Sequence, residues 1–183
     1  MELKIYNNFL DERSFSTIEE QILNPNFPWS WGGGVIPLTP IEGAQPEGAG
    51  GLDDYQFFHT IYDQYQIKSQ FFQCLHPLFH KLNVVSLLRI KANLNPRTHE
   101  IVEHGFHTDF PTDSDFKFTT GILYINDNNG YTIFDDGQKV ESVRNRYVEF
   151  ASDRIHSGSS CTNQKRRLVI NFNYLKGKPK NDY

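Results

Sequence analysis

Residues 118–152 read FTTGILYINDNNGYTIFDDGQKVESVRNRYVEFAS. Within them, runs rich in β-branched and aromatic side chains at 118–126, 131–134, 138–143 and 147–152 are separated by the clusters Asn128-Asn129-Gly130 and Asp135-Asp136-Gly137. Short runs punctuated by Asn-Gly and Asp-Gly pairs predict successive antiparallel strands joined by tight turns. The same signals extend upstream to 84–93 and 103–110 and downstream to 167–175, so nearly all of the C-terminal half is predicted to be β. Many short antiparallel strands of this kind suit a sandwich or jelly roll.

The N-terminal part differs. Residues 3–6 read as a short strand, and Asp11 is placed to cap a helix over 12–23 that buries Phe15, Ile18, Ile22 and Leu23. Pro25 and Pro28 end it. Segment 28–51, PWSWGGGVIPLTPIEGAQPEGAGG, follows neither regular period and reads as a long loop. A second helical stretch near 64–82 carries Phe71, Phe72, Leu75, Leu78, Phe79 and Leu82 at helical spacing, with Pro77 expected to kink or divide it. The expected class is therefore mainly β with flanking N-terminal helices (α+β). One domain is expected over 1–183: helical support and an aromatic loop in 1–83, the β core in 84–175, and a fraying tail in 176–183.

At 38% hydrophobic and 14% aromatic residues, the 183-residue chain has enough apolar material for a substantial core. A net charge of −4 argues against a general attraction for nucleic acid, which is bound chiefly through its phosphates. Cys74 and Cys161, the two cysteines, have no thiol partner at metal-site or CxxC spacing and read as reduced thiols. No apolar run approaches the roughly 20 residues of a membrane span, and residues 1–20 lack the pattern of a secretory leader. A cytoplasmic, membrane-free protein is expected.

The chemistry rests on spacing. In an extended segment His107 and Asp109 project to one face while Thr108 points away. His156 follows forty-nine residues after His107, and Arg167 eleven residues after that. Two imidazoles and a carboxylate on one face of a metal form the set that leaves open positions on ferrous iron. A lone histidine is more often structural than a ligand. His59, His76 and His80 have no carboxylate at ligand spacing, and His99 and His104 fall in a turn-like insertion, so these five read as structural or substrate-side.

With HxD at 107–109, a distal His156 and a basic residue entering the apolar strand LVINF, residues 84–175 resemble the Fe(II)- and 2-oxoglutarate-dependent oxygenases. The likeness is to the prolyl-4-hydroxylase-like branch found in viruses, bacteria and eukaryotes. The phrases NNGYTIFDDG and NRYVEFASDRIHSG look like that family's β-hairpin and the strand leading to its distal histidine. The resemblance implies a double-stranded β-helix of jelly-roll or cupin-like type, with His107, Asp109 and His156 as iron ligands. It also implies that Arg167 holds the far carboxylate of 2-oxoglutarate, with Arg166 as the competing assignment. Tyr124 in TTGILYIND resembles the tyrosine whose hydroxyl reaches that carboxylate, and core packing is its other reading. Two departures stand out: Asn93 lies where relatives often carry a tyrosine, and residues 94–106 make a longer approach to HxD.

The implied activity is hydroxylation of a substrate, with peptidyl proline suggested by resemblance alone, and release of succinate and CO₂. The implied cofactors are Fe(II) and 2-oxoglutarate, with ascorbate as a reductant; the implied partners are that small-molecule cosubstrate and a peptide or protein substrate. Trp29, Trp31, Phe57, Phe58 and His59 form either an aromatic lid or a hydrophobic plug on the sheet. The basic run Lys165-Arg166-Arg167 leaves nucleic-acid demethylation as a minor reading. Two rivals remain: a cupin-like metal enzyme without 2-oxoglutarate, which would not need Arg167, and a catalytically inactive oxygenase fold serving as a binding module.

Overall fold

The computed structural model describes residues 1–32, 51–110 and 117–177. Most of the expected long loop and most of the expected tail lie outside the described residues. The chain forms β1 (Lys4–Tyr6), α1 (Glu12–Leu23), β2 (Ser30–Gly32), β3 (Gln56–Asp63), β4 (Gln66–Ile67), a 3₁₀ turn (Gln70–Leu75) and α2 (His76–Leu82). There follow β5 (Val84–Pro96), β6 (Thr119–Tyr124), β7 (Tyr131–Phe134), β8 (Lys139–Glu141), β9 (Tyr147–Ala151), β10 (His156–Gly158) and β11 (Arg166–Lys176).

Among the described residues these strands make two antiparallel sheets. The larger runs β1-β9-β6-β11-β5-β3-β2, with β4 also paired to β3; the smaller runs β10-β7-β8. The arrangement is an open jelly roll, mainly β, with two short helices on one side. No described helix is long and apolar enough to cross a membrane.

Alternation on β6, on β11 and on β5 from Arg89 onward decides what each face of the large sheet carries; before Arg89, β5 is bulged. Ile90, Ala92, Leu123, Ile125, Leu168, Ile170, Phe172 and Tyr174 form one core with Phe15, Ile18 and Ile22 of α1 and Leu78 and Leu82 of α2. Burying each Leu, Ile or Phe there contributes about 1.5–3 kcal/mol. The opposite face looks toward the small sheet. Ile122, Tyr124, Val148, Phe150 and Val169 pack there against Phe134 and Val140, while β5 contributes Arg89, Lys91, Asn93 and Asn95 to that face.

The helices start and stop for local reasons. Asp11 accepts a hydrogen bond from the Ser14 amide at 3.0 Å, capping α1 as expected. Phe15, Ile18 and Ile22 are buried, but Leu23 is 38% exposed because it ends the helix beside the Asn24 cap. The expected helix over 64–82 begins later. Gln64 and Tyr65 both have positive φ (51° and 60°), as the central pair of a two-residue hairpin turn requires, and they join β3 to β4. Pro77 then falls at the start of α2, so it divides the helical stretch. At the other end Asn83 is left-handed and its amide closes α2 onto the His80 and Phe79 carbonyls.

Residues 103–110 do not form the expected continuous strand. Isolated bridges pair Glu103 with Ser159 and His107 with His156. The five residues 103–107 therefore lie opposite the four residues 156–159, and the extra residue breaks the ladder as a bulge does. Segment 28–32, expected to be loop, contributes β2 to the edge of the large sheet.

Candidate active site

A cavity of about 90 Å³ lies between the sheets, several times the ~10–15 Å³ that one water needs. His107, Asp109 and His156 line it at one end, and Arg167 enters from β11.

The two histidines are fixed by their backbones. Each donates its amide to the other's carbonyl at 2.9 Å, and their ring centroids lie 4.6 Å apart. His107 Nδ1 lies 3.1 Å from the Gly105 carbonyl and His156 Nδ1 3.0 Å from the Arg154 carbonyl. A carbonyl only accepts, so both Nδ1 atoms carry the proton and both Nε2 lone pairs are left free. Burial, with His156 beside it, pulls the His107 imidazole down to about 4.

Asp109 completes the cluster, and one ligand atom from each of the three side chains lies within 4.8 Å of the others. Its amide donates to the Ser152 carbonyl at 2.9 Å. Thr120 Oγ1 and Asn173 Nδ2 donate to Oδ2 at 2.6 and 2.8 Å, and Arg89 Nη2 donates to Oδ1 at 3.1 Å. Burial pushes this carboxyl's pKa up, but the electrostatic pull of the His156 ring, the Arg89 guanidinium and the His107 ring, with the Thr120 hydrogen bond, outweighs it, leaving the value below the ordinary one. The carboxylate is thus held ionised and oriented, as outer-shell partners do for a metal ligand.

Arg167 is 2% exposed. Its Nε donates to Ser142 Oγ at 2.8 Å and its Nη2 to Thr132 Oγ1 at 3.2 Å. Among the described residues no carboxylate lies within salt-bridge distance of it. A guanidinium buried against neutral hydroxyls retains a large desolvation cost that an anionic ligand would offset. Arg166, on the other face of β11, does not line the cavity. Tyr124 stands one layer behind the wall: its hydroxyl donates to Thr132 Oγ1 at 2.7 Å, and its ring centroid lies 5.6 Å from the Arg167 guanidinium carbon.

No protein-family model matches the chain, and no curated protein matches it by sequence. Similar solved structures are prolyl hydroxylases and other 2-oxoglutarate–Fe(II) oxygenases, bacterial and viral ones among them. A prolyl hydroxylase from Trichoplax adhaerens, in complex with a hypoxia inducible factor peptide fragment, is 17% identical with a TM-score of 0.61, covering 95% of this chain and 83% of that one. A Pseudomonas putida prolyl-4-hydroxylase is 15% identical with a TM-score of 0.60, over 96% and 92% of the two chains. The alpha-ketoglutarate-dependent epimerase SnoN from nogalamycin biosynthesis is 13% identical with a TM-score of 0.63, over 95% and 78%. The chain has the 2-oxoglutarate–Fe(II) oxygenase fold.

Within this oxygenase fold the donors present suit the groups that the fold implies. Two imidazoles with Nδ1 turned to backbone carbonyls and Nε2 left for a ligand, together with one ionised carboxylate, make a set that ferrous iron accepts. A buried arginine with no acid partner among the described residues matches one end of a dicarboxylate. Several residues that build the site gave no sign in the sequence of the part they play there. Gly130 is one: a Cβ there would come within 2.7 Å of Arg167 Cδ and 2.5 Å of the Ser160 carbonyl, so only glycine leaves the arginine its path. His104 is another. Read as structural or substrate-side, it is buried at the cavity wall with Nδ1 2.7 Å from Asp54 Oδ1 and Nε2 3.0 Å from Asn95 Nδ2. Asn95 pairs in register with Arg167, so this chain of bonds ties the 97–106 segment to the arginine's end of the cavity.

The aromatic residues near the N-terminus separate. Trp29 and His59 pack with Phe27, whose ring centroid lies 4.6 Å from Trp29's and 4.9 Å from His59's, on the helix side of the sheet. Trp31 is 60% exposed beside Tyr55 and Phe57. Phe58 faces the opposite way, under Lys91.

Proposed function

We propose that the protein is an Fe(II)- and 2-oxoglutarate-dependent dioxygenase that hydroxylates its substrate. The observation that carries this reading is the pairing, in one cavity, of a His-Asp-His cluster with a buried arginine that has no acid partner among the described residues. His107 and His156 would each present Nε2, and Asp109 one carboxylate oxygen, to a ferrous ion. Arg167 would hold the far carboxylate of 2-oxoglutarate, with Thr132 and Ser142 fixing its guanidinium and Tyr124 positioning Thr132 from behind. When bound, iron and 2-oxoglutarate would supply an oxidant for a substrate C–H bond, with succinate and CO₂ as coproducts.

The chain's own part is orientation and exclusion. The Nδ1 bonds of both histidines fix their tautomers, and Arg89, Thr120 and Asn173 keep Asp109 ionised and aimed. Phe150 packs edge-on against His156 at 4.7 Å, shielding the ring from solvent on that side. Peptidyl proline rests on resemblance alone, because the fold also houses an epimerase solved with nogalamycin RO.

The test is anaerobic binding of Fe(II) and then of 2-oxoglutarate, followed by succinate release on admitting oxygen across a panel of peptides, amino acids and nucleotides. Succinate formation that needs both iron and a panel member supports the reading. Failure to bind 2-oxoglutarate in the presence of iron removes it.

A further inference from the structure

Lys91 is a second cation in the cavity, and it has no salt bridge among the described residues. It lies on the inner face of β5, in register with Asn171 of β11 and Thr60 of β3, and its Nζ sits 4.4 Å over the centroid of the Phe58 ring. Among the described residues no carboxylate approaches it within salt-bridge distance, whereas its neighbour on that face, Arg89, is paired with Asp109 at 3.1 Å. Burial, with Arg89 beside it, pulls the Lys91 ammonium down to about 8, a cost that an adjacent anion would reverse.

Unmet hydrogen bonding gathers at the same place. Among the described residues, two buried side-chain atoms have no partner, Asn93 Oδ1 and Asn171 Oδ1. Both residues line the cavity; Asn171 is directly across from Lys91, and Asn93, 7% exposed, is the next inward-facing residue on β5. Buried polar atoms in folded proteins are nearly always satisfied, so this pair points to a ligand that brings donors.

Charge decides what kind of ligand. The cavity wall carries Arg89, Lys91 and Arg167 against Asp109. A divalent metal and a doubly charged 2-oxoglutarate cancel each other, so they leave this excess of positive charge in place. Arg167 enters from β11 four residues before Asn171, so the two cations address the cavity at separate levels.

We propose that Lys91, Asn93 and Asn171 form a subsite, separate from Arg167, for the carboxylate of the primary substrate, which is a small α-amino or α-hydroxy acid. Lys91 takes the carboxylate, and the asparagine oxygens accept from the adjacent N–H or O–H. This rests on the oxygenase reading and narrows it to a free small molecule in place of an extended peptide.

The test is anaerobic calorimetric titration of the full chain, loaded with Fe(II) and 2-oxoglutarate, using L-alanine, L-proline, L-lactate and the corresponding amides as probes. At least one acid is expected to bind about tenfold or more tightly than its amide. Lys91→Met should lose that binding by about tenfold or more and keep its 2-oxoglutarate affinity within about twofold, while Lys91→Arg retains both. Equal binding of acids and amides, or no acid bound by a wild-type chain that holds 2-oxoglutarate, would overturn the subsite. A Lys91→Met variant whose 2-oxoglutarate affinity falls about tenfold would also overturn it, by assigning the lysine to the cosubstrate. A wild-type chain that binds no 2-oxoglutarate removes the oxygenase reading alone; the acid and amide titrations of the metal-free chain then decide the subsite.

Discussion

His107 and His156 face each other across a single antiparallel bridge, each amide bonded to the other's carbonyl at 2.9 Å, with both Nδ1 atoms turned back to carbonyls of their own segments. Both free Nε2 atoms are therefore set by backbone geometry before any metal arrives. Asp109, two residues along, needs only its own three hydrogen bonds to join them.

A divalent metal should stabilise the wild-type chain. Binding to the folded state alone gives about 2.7 kcal/mol at a hundredfold excess over Kd. Thermal melts with Mn(II) or Fe(II) under argon should show the shift, and EDTA should remove it. His107→Ala and His156→Ala should melt alike with and without metal; a full shift in either variant contradicts the ligand assignment.

Asp109→Asn is expected to destabilise even the metal-free protein, by about 1–3 kcal/mol, because Arg89 loses its counter-charge and the Thr120 hydroxyl its charged acceptor. The folded pKa of Asp109 is lowered, so its carboxylate stabilises the fold above about pH 4, and that contribution is lost as pH falls through the folded value. Urea melts of both chains from neutral pH downward should converge in acid. Parallel curves would contradict this.

Arg167→Met should separate binding from stability. Losing a charge-assisted pair to 2-oxoglutarate, at about 1.5–3 kcal/mol, weakens affinity by roughly ten- to a hundredfold. The metal-free variant should melt no lower than wild type, since an uncompensated buried cation has been replaced by an apolar chain. Unchanged 2-oxoglutarate affinity would favour a cupin-like enzyme that does not use the keto acid.

His107 gives the metal-free protein a specific pH dependence. Its folded value is about 4, below the roughly 6.5 of an unfolded histidine, so the unfolded chain takes up this proton first. The fold then loses stability as pH falls from about 6.5 to about 4, with no further loss from this group below that. His107→Gln should flatten that part of the slope in urea melts with EDTA present.

Much of the jelly roll was legible because most of β5, β6 and β11 alternates and the Asn-Gly and Asp-Gly turns mark the reversals. The convergence of His107, Asp109 and His156 followed from the same reasoning, although 103–110 is bulged where a regular strand was expected. The hairpin at Gln64-Tyr65 escaped notice because neither residue type favours positive φ; pairing of β3 with β5 and β4 imposes it. The roles of Gly130, His104 and Lys91 at the site were hidden for a related reason. Each matters through neighbours distant in the chain, the first through Arg167, the second through Asp54 and Asn95, the third through Asn93 and Asn171. Between Arg166 and Arg167 spacing could not choose; the register of β11 turns the second inward.

The most direct measurement is an anaerobic titration of 2-oxoglutarate into the Fe(II)-loaded chain, following the visible absorbance of the iron–keto-acid chelate in wild type and in His156→Ala. The account expects a saturable chelate at one equivalent in the wild type and none in the variant. A wild-type chain that forms no chelate, or a variant that forms it equally well, would contradict it.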